Sequence, residues 1–489
     1  MKLALISPAR KDDYDFWDFK FAAQLLGRKY GGGAPLALPT IAALTPKDVK
    51  ITLIDENIES INYQQDVDLI GITFNTSLAP RAYEIANNFR KRNIPVILGG
   101  IHASMLPEEA SKFANSVVVG EAELIWSDII KDFRQRKLKS IYYAPKFPDL
   151  AHSPVPRWDL LKNKLYNIHI MQTARGCPFK CEFCSVTSFL GNTYRPKPIQ
   201  NVIHEIETLL RIDKRKGIFF ADDNIVFDTE RAKELFTAIT PFKIKYWWGQ
   251  VSLNVAKDDK LLKLMYKSGC RQLLIGFESL RQENLDLIKK NTVNKRHEYI
   301  ELINRIHHSG ISIVGAFVLG EDYDDEKTFD EIINFVQESN IAFPQISILT
   351  PLVGTSLYKR LKKDQRLLHE SWEKYTFSNV CFRPKFMSEK ILEEGYIRVL
   401  KEIYSYPQLY SRLVNLWKSG VLIKRNYSIS ALFSRTRLML TLKAFLSFDK
   451  QRFNFVIRSL WKIRNASLVA VLFGLNLHDF AYKFKNGKQ

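Results

Sequence analysis

Three cysteines lie within eight residues, at Cys177, Cys181 and Cys184, in the pattern C-x-x-x-C-x-x-C. Three thiolates on one short loop suit three irons of a 4Fe–4S cluster, and the lack of a fourth nearby cysteine leaves one iron open to an outside ligand. A structural zinc site is the competing interpretation. It normally needs four closed ligands, and neither His169 nor His204 has the spacing of a zinc finger. We therefore predict a cluster-binding loop with one open coordination position.

The element before the cysteine loop is a short apolar strand, and the loop begins at its carboxyl end, where barrel enzymes place their chemistry. Strands and helices continue to alternate after the loop. Six strands are predicted in all, at 168–173, 217–221, 246–253, 272–277, 312–319 and 345–350. Six βα units imply an open, partial (βα)6 barrel, which we place at 166–365.

The chain before the barrel has the alternation expected of a doubly wound, Rossmann-like α/β domain, which we place at 1–137. Strands are predicted at 3–7, 51–55, 69–73, 95–99 and 117–119, with a helix at 80–92. A proline-bearing stretch at 138–165 is interpreted as a linker. Gly99-Gly100 and Gly120-Glu121 follow two of the strands, at the edge where such folds bind ligands.

Composition places the chain among ordinary multidomain proteins, with 489 residues, of which 46% are hydrophobic and 25% charged. The formal net charge is +20, and residues 401–489 carry 16 Lys/Arg against 3 Asp/Glu. Only five cysteines occur, which indicates a reducing cytoplasm rather than a disulfide framework. No signal peptide or spanning segment is found. We predict a cytoplasmic protein with a basic, mainly helical C-terminal domain at 366–489.

The loop and the barrel strand ends resemble the radical S-adenosylmethionine (radical SAM) superfamily over most of the chain. The resemblance implies that SAM binds the open iron, and that its reductive cleavage releases a 5′-deoxyadenosyl radical. It also implies that the backbone around Phe183 lies near the adenine. At the strand end Gly276-Phe277-Glu278-Ser279, it implies that Glu278 binds the ribose hydroxyls beside Ser279. A solvated or salt-bridged glutamate is the alternative.

The second barrel strand departs from the common pattern of the superfamily. Many members carry glycine-glycine-glutamate there for the methionine ammonium, whereas this chain reads Phe220-Ala221-Asp222-Asp223-Asn224. That form resembles a subgroup with an N-terminal cobalamin domain, and it implies that Asp222 or Asp223 serves the same ammonium. A helix N-cap is the alternative role for these aspartates.

The stretches 33–39, 55–57, 99–102 and 120–123 together make residues 1–125 similar to the cobalamin-binding domain of this subgroup. The resemblance implies cofactor contacts from Gly99, Gly100, His102 and Glu121, although a lone histidine is also common as a plain loop residue. The stretch 8–17 contains no histidine, so histidine ligation of cobalt from that loop is excluded. We expect cobalamin in a base-off state. A degenerate domain that has lost the cofactor stays open.

The strand ends at 317–325 and 350–355 and the helical C-terminal region resemble those of the hopanoid C-methylases and bacteriochlorophyllide methylases. The resemblance implies a cobalamin-dependent C-methyltransferase acting on an apolar or lipid-like substrate. One SAM remethylates cobalt and a second supplies the radical. A radical cyclase, coupling or rearrangement enzyme without methyl transfer is one alternative, and a non-catalytic cofactor-binding sensor is another. No residue facing the substrate radical is identified.

The basic tail interleaves its charges with aromatic residues at helical intervals, namely Trp417, Phe453, Phe455, Trp461 and Phe473. This pattern favours peripheral contact with a membrane surface, while inward-packed aromatics with solvated charges are the alternative. No RNA-binding or helix-turn-helix signature is present, so nucleic-acid binding is not favoured. The expected partners are a small-molecule or lipid substrate and a reducing protein such as flavodoxin or ferredoxin.

Overall fold

The computed structural model describes residues 1–10, 28–422, 449–462 and 468–483. The chain divides into two compact units, each assembled from separate stretches of sequence. In the described ranges the first unit comprises 1–10, 33–225 and 350–383, and the second comprises 28–32, 226–349 and the residues from 384 onward. The stretch 350–383 therefore belongs with the N-terminal part of the chain.

The first unit contains a six-stranded sheet with helices between its strands. The strands are β1 (Lys2–Ser7), β2 (Lys50–Asp55), β3 (Leu69–Thr73), β4 (Val96–Gly99), β5 (Ser116–Val119) and β6 (Ile141–Tyr143). The helices are α1 (Ala37–Leu44), α2 (Ala79–Arg90), α3 (Ile101–Met105), α4 (Pro107–Ser111) and α5 (Trp126–Arg134). The strand order is β2-β1-β3-β4-β5-β6, and each pair of neighbouring strands is parallel. The order reverses at β1, as a doubly wound sheet requires.

The sheet forms where the sequence is continuously apolar, because helices cover both of its faces and leave no wet side. Ala4, Ile6, Ile70, Leu98 and Val117 are all buried in its core. The five predicted strands are confirmed to within one residue at each end. β6 was not predicted, because three residues beside a proline-bearing stretch are too short for a periodic signal. The predicted linker at 138–165 thus begins with an edge strand of this sheet.

The middle of the chain contains the six predicted barrel strands and a small ribbon. Its elements are β7 (His169–Met171), β8 (Ala174–Arg175), α6 (Ser185–Leu190), β9 (Arg195–Pro196), α7 (Ile199–Asp213), β10 (Ile218–Phe220), α8 (Thr229–Ile239), β11 (Trp247–Val251), α9 (Asp259–Lys267), β12 (Cys270–Glu278), α10 (Gln282–Leu287), α11 (Tyr299–His308), β13 (Ser312–Leu319), α12 (Lys327–Glu338), β14 (Phe343–Ile348) and α13 (Ser356–Lys363). In the first unit, β7 and β10 pair in parallel, and β8 and β9 form an antiparallel ribbon. In the second unit, β11 to β14 pair in parallel in chain order. The predicted strands are confirmed to within two residues at each end.

The C-terminal part of the second unit is helical in its described ranges, as predicted. Its helices are α14 (Glu389–Ile403), α15 (Tyr406–Lys418), α16 (Lys450–Lys462) and α17 (Leu468–Lys483). A β-carbon on Gly395 of α14 would overlap the ring of Phe329, so glycine lets α14 pack closely on α12. Tyr406 stacks on Phe455 with ring centroids 5.1 Å apart, which joins α15 to α16. Residues 423–448 and 463–467 of the predicted amphipathic tail, and the side chain of Phe473, lie outside the described residues.

Candidate cluster and cofactor site

The cysteine loop lies in the first unit, after β7. The ribbon of β8 and β9 forms the neck of the loop, where Arg175 lies opposite Arg195. Cys177, Cys181 and Cys184 are each partly buried, and none of them is in a disulfide. The backbone N–H of Cys184 donates to the carbonyl of Cys181 at 3.2 Å. The three thiols therefore lie on one loop, and the paired strands β8 and β9 hold the two ends of that loop together.

The loop offers three thiols as metal ligands. Burial raises the pKa of the Cys184 thiol to about 12, and Cys181, Asp223 and Cys177 add to the shift. A structural zinc ion normally takes four protein ligands, whereas a cubane cluster takes each thiolate on a different iron, so that three thiolates leave one iron open. The chemistry of the donor set fits a cluster.

Two aspartates after β10 hold the start of the loop. Asp222 is buried and accepts hydrogen bonds from the backbone N–H of Thr173, at 2.6 Å, and from its hydroxyl. Asp223 accepts the backbone N–H of Gly176 at 3.2 Å, and burial raises the pKa of Asp223 to about 6. Gly176 has a φ of 83°, and a β-carbon there would overlap the carbonyl oxygen of Thr193. Only glycine fits immediately before the first cysteine.

The helix N-cap alternative for these aspartates is wrong. Helix α8 begins at Thr229, and its cap is Asp228, whose carboxylate accepts the backbone N–H of Arg231 at 3.0 Å. Asp222 and Asp223 instead hydrogen-bond to the loop that carries the cysteines. Their predicted role toward the SAM ammonium stays a prediction.

Helix α13 braces the middle of the loop. Arg360 donates two hydrogen bonds to the carboxylate of Glu182, from Nε at 2.6 Å and from Nη2 at 2.9 Å. The backbone N–H of Leu357 donates to the carbonyl of Glu182 at 3.0 Å, and the hydroxyl of Ser188 donates to the carbonyl of Gly354 at 3.0 Å. Bidentate arginine–carboxylate pairs are strong and directional. The sequence interpretation missed Arg360, which no local pattern connects to the cysteines.

Two glycines lie at the carboxyl edge of the first sheet, at the end of β4. Within the part of the chain that the structure describes, a β-carbon on Gly99 would meet only Val118, at 3.8 Å. Gly100 has a φ of 94°, and a β-carbon there would approach the backbone of Phe74 to 2.7 Å. Gly100 therefore allows the turn into α3, and Gly99 leaves backbone that a ligand could approach closely.

His102 faces the interior of the first unit. Its side chain is fully buried, and its Nε2 lies 3.3 Å from Oε1 of Glu109. Trp372 and Tyr83 donate hydrogen bonds to the same carboxylate, at 3.1 Å and 2.9 Å. Burial lowers the pKa of His102 despite the neighbouring Glu109. The imidazole belongs to a hydrogen-bonded core, and its predicted role toward cobalamin stays a prediction.

Glu121 faces the cysteine loop. It forms ion pairs with Arg175 and Arg195 at the loop neck, and Glu123 forms a second ion pair with Arg175. Burial acts to lower the pKa of Arg175, but Glu123 and Glu121 together raise it above its ordinary value. The carboxylate of Glu121 is therefore engaged by cations of the protein.

In the second unit, the end of β12 presents Glu278 in an unusual conformation. Glu278 has a φ of 63°, and the register of β12 against β13 shifts between Gly276 and Glu278. A left-handed glutamate is strained, and such strain is most common at functional sites. The carboxylate forms a mostly buried ion pair with Lys290. The salt-bridged alternative is thus present in the structure, and the predicted contact of Glu278 with the SAM ribose stays a prediction.

The conformation at Glu278 is held by groups that the sequence interpretation missed. Nδ2 of Asn294 donates to the carbonyls of Gly276 and Phe277, both at 2.9 Å. The hydroxyl of Tyr299 donates to the carbonyl of Phe277 at 3.0 Å. Ser279 is buried, and its hydroxyl accepts the N–H of Arg281 at 3.1 Å. These bonds satisfy the backbone where the strand register breaks, so the strained residue is fixed in place.

Comparison with known proteins found two matching family models and relatives that cover most of the chain. Residues 171–336 match the model of the radical SAM superfamily, and residues 355–480 match a domain of unknown function (DUF4070). The chain is 30% identical to bacteriochlorophyllide d C-8(2)-methyltransferase of Chlorobaculum tepidum, over 77% of this chain and 87% of the relative. It is 31% identical to the C-12(1)-methyltransferase of the same organism, over 78% of this chain and 84% of the relative.

The solved structure of TsrM, a radical SAM methyltransferase from Kitasatospora setae with cobalamin and a 4Fe–4S cluster bound, has a similar fold. The TM-score is 0.64 at 13% identity, and the match covers 95% of this chain and 98% of TsrM. This likeness confirms the predicted fold class, a Rossmann-like sheet followed by a partial barrel and a helical C-terminal region.

Proposed function

Because the chain belongs to the radical SAM superfamily and, within it, to the family of the bacteriochlorophyllide d methyltransferases, we propose that it is a cobalamin-dependent C-methyltransferase. The observation that carries the proposal is the cysteine loop at the end of the first barrel strand, braced by Asp222, Asp223 and Arg360. Support for the methyl transfer comes from the relatives named above.

Each cofactor has proposed ligands among the residues already described. Cys177, Cys181 and Cys184 hold the cluster, Glu278 receives the SAM ribose, and the backbone at Phe183 borders the adenine. Asp223 is the better candidate for the ammonium, because both oxygens of Asp222 accept hydrogen bonds from Thr173. At the carboxyl edge of the first sheet, Gly99 and Gly100 border the corrin. When bound, the cluster supplies the electron that cleaves SAM, and the corrin carries the methyl group.

Purified protein should retain about one equivalent of hydroxocobalamin in the base-off state. No histidine occurs in the stretch 8–17, and the His102 side chain is buried. The absorption spectrum after removal of unbound corrin measures both the stoichiometry and the ligation state. Gly99→Leu should weaken retention without unfolding the chain, because Val118 is the one described residue that a β-carbon there would meet, at 3.8 Å. A wild-type protein that keeps no corrin would favour the degenerate domain and contradict cobalamin dependence.

Two alternatives make different products. A radical cyclase, coupling or rearrangement enzyme would form 5′-deoxyadenosine but add no methyl group, whereas a methyltransferase adds one methylene unit to the substrate mass per event. A non-catalytic sensor would form no 5′-deoxyadenosine with a strong reductant present. Comparing the metabolites of a deletion strain with those of its parent, including the lipid fraction, identifies the substrate and measures the mass change. Loss of hydrogen without added methyl would overturn the proposal.

The proposed substrate is a small apolar or lipid-like molecule. The two relatives are named for methylating a bacteriochlorophyllide, and the basic, aromatic tail of this chain suits delivery from an apolar environment. The electron for the cluster would come from a small reducing protein such as a flavodoxin or a ferredoxin.

The helix proposed to contact a membrane surface is α16. Among the described residues, no helix is both long and apolar enough to cross a bilayer. Helix α16 packs inward through Phe455 and Val456, while Trp461 is 71% exposed and Ile457 is also exposed four residues before it. The cations Lys450, Arg458 and Lys462 are exposed on the same helix. Exposed aromatic and aliphatic side chains among cations are typical of helices that lie at an anionic lipid surface.

Binding to vesicles that contain anionic lipid should be detectable at low ionic strength and lost at high ionic strength. Each cation near such a surface contributes about 1 kcal/mol, and salt screens this attraction. Trp461→Ala should weaken vesicle sedimentation about fivefold or more, because the largest exposed apolar group of α16 is removed. Tyr143→Ala is the matched control, since Tyr143 is 61% exposed on β6 in the first unit. Equal, negligible sedimentation with anionic and neutral vesicles would contradict membrane contact.

A further inference from the structure

The neck of the cysteine loop is electrostatically unusual. Arg175 of β8 and Arg195 of β9 are directly paired across the ribbon. Like charges opposite each other on paired strands repel, and a ribbon of two residues per strand is not stable alone. Both guanidinium groups are also mostly buried, so water screens their repulsion poorly. The neck therefore needs a compensating negative charge.

That charge comes from the carboxyl edge of the first sheet. Glu121, with a side chain 4% exposed, forms ion pairs with both Arg175 and Arg195. Glu123 forms an ion pair with Arg175, and among the described ion pairs Glu121 alone bridges the two arginines. Arg195 also lies over the ring of Phe147, with its guanidinium carbon 4.7 Å from the ring centroid. Removal of the Glu121 carboxylate would leave Glu123 paired with Arg175, and Arg195 would lose its carboxylate partner among the described ion pairs.

Glu121 is itself held by the glycine-bearing edge of the sheet. It follows Gly120, which has a φ of 90° and donates its N–H to the hydroxyl of Ser104 at 3.0 Å. That hydroxyl donates in turn to the carbonyl of Gly100 at 2.9 Å. The edge proposed to border the corrin and the neck of the cluster loop are thus joined through a continuous set of hydrogen bonds and ion pairs.

We propose that Glu121 is a positioning residue that clamps the neck of the cysteine loop, so that stable cluster retention depends on the carboxyl edge of the first sheet. The inference rests on the proposed function, because it assumes that the loop holds a cluster. It assigns Glu121 to the cluster loop and not to contact with cobalamin, and it predicts a defect in cluster stability that is separate from folding.

The test is the rate at which reconstituted full-length protein releases iron to a ferrous chelator. Glu121→Gln keeps the shape of the side chain and removes its charge, and it should release iron about tenfold faster than wild type. Glu121→Asp should restore slow release in part, because it keeps the charge. Glu56→Gln is the matched control: it removes a mostly buried ion pair with Arg81 in the same unit, and it should release iron at the wild-type rate.

Thermal unfolding of each cluster-free variant separates positioning from folding. If Glu121→Gln is too unstable to compare, Glu123→Gln removes the other carboxylate of the neck and should also release iron faster, because Arg175 and Arg195 would then share only Glu121. Wild-type release rates in both variants would overturn the inference while leaving the proposed function intact. Equally fast release from Glu56→Gln would also overturn it, since the effect would then be a general loss of stability. Wild-type protein that holds no iron would overturn the proposed function and this inference with it.

Discussion

Cys184→Ala should reduce 5′-deoxyadenosine formation from SAM to the level of a protein-free mixture under anaerobic, reducing conditions. The loop offers three thiolates for three irons, and Cys184 is held beside Cys181 by a backbone hydrogen bond. With one thiolate removed, the loop cannot anchor a cubane cluster through three irons. Chromatography of the reaction products and the iron content per chain measure the two expected losses together.

The control for this experiment is Cys270→Ala. Cys270 is fully buried at the start of β12, away from the cysteine loop in the sequence. Its replacement costs core packing of about 1 kcal/mol per buried methylene-sized group, so the melting temperature should fall slightly while iron and SAM cleavage persist. Wild-type cleavage by Cys184→Ala, or no cleavage by any form of the protein, would contradict the radical SAM enzyme proposed here.

Gly276→Ala should weaken SAM binding about tenfold or more while the protein stays folded. A β-carbon at this position would overlap the carboxylate of Glu278 and approach Nζ of Lys290 to 2.7 Å. Both are the ends of flexible side chains, and Gly276 does not have a positive φ. The added methyl group can therefore displace the carboxylate without breaking the strand. Equilibrium dialysis with SAM measures the change in affinity.

Glu278→Gln tests the same site without adding bulk. A hydrogen bond to a charged group contributes about 1.5–3 kcal/mol, so loss of the charge should raise the Kd for SAM about 10- to 100-fold. Glu283→Gln is the matched control, because Glu283 is an exposed carboxylate five residues further along the chain. Unchanged SAM affinity in both Gly276→Ala and Glu278→Gln would remove Glu278 from the proposed SAM site.

The cluster loop is predictable because its chemistry is local. Cys177, Cys181 and Cys184 lie on one short stretch, so their spacing alone limits which metal centre they suit. The strands are predictable for a similar reason, since a parallel strand covered on both faces must be apolar over its whole length. β6 was missed because it is short and lies at the sheet edge, where neither length nor periodicity gives a signal.

The partners of these residues were decided by the tertiary structure. Arg360 contacts Glu182 across 178 positions, and Glu121 contacts Arg175 across 54. The sequence marks Glu121 as an acidic residue at a sheet edge, but its partner depends on which loop packs there. The burial of His102 against Glu109 likewise depends on how the helix that follows Gly100 packs in the fold.

Local spacing was therefore sufficient to predict the cluster loop, the succession of strands and the strand ends that carry Asp222, Asp223 and Glu278. The strained conformation of Glu278, its ion pair with Lys290 and the bridge from Glu121 to the loop neck depended on folding. The physical reason is that thiol spacing and apolar periodicity are set along the chain. Ion pairs and buried hydrogen bonds form between groups that only the packed fold brings together.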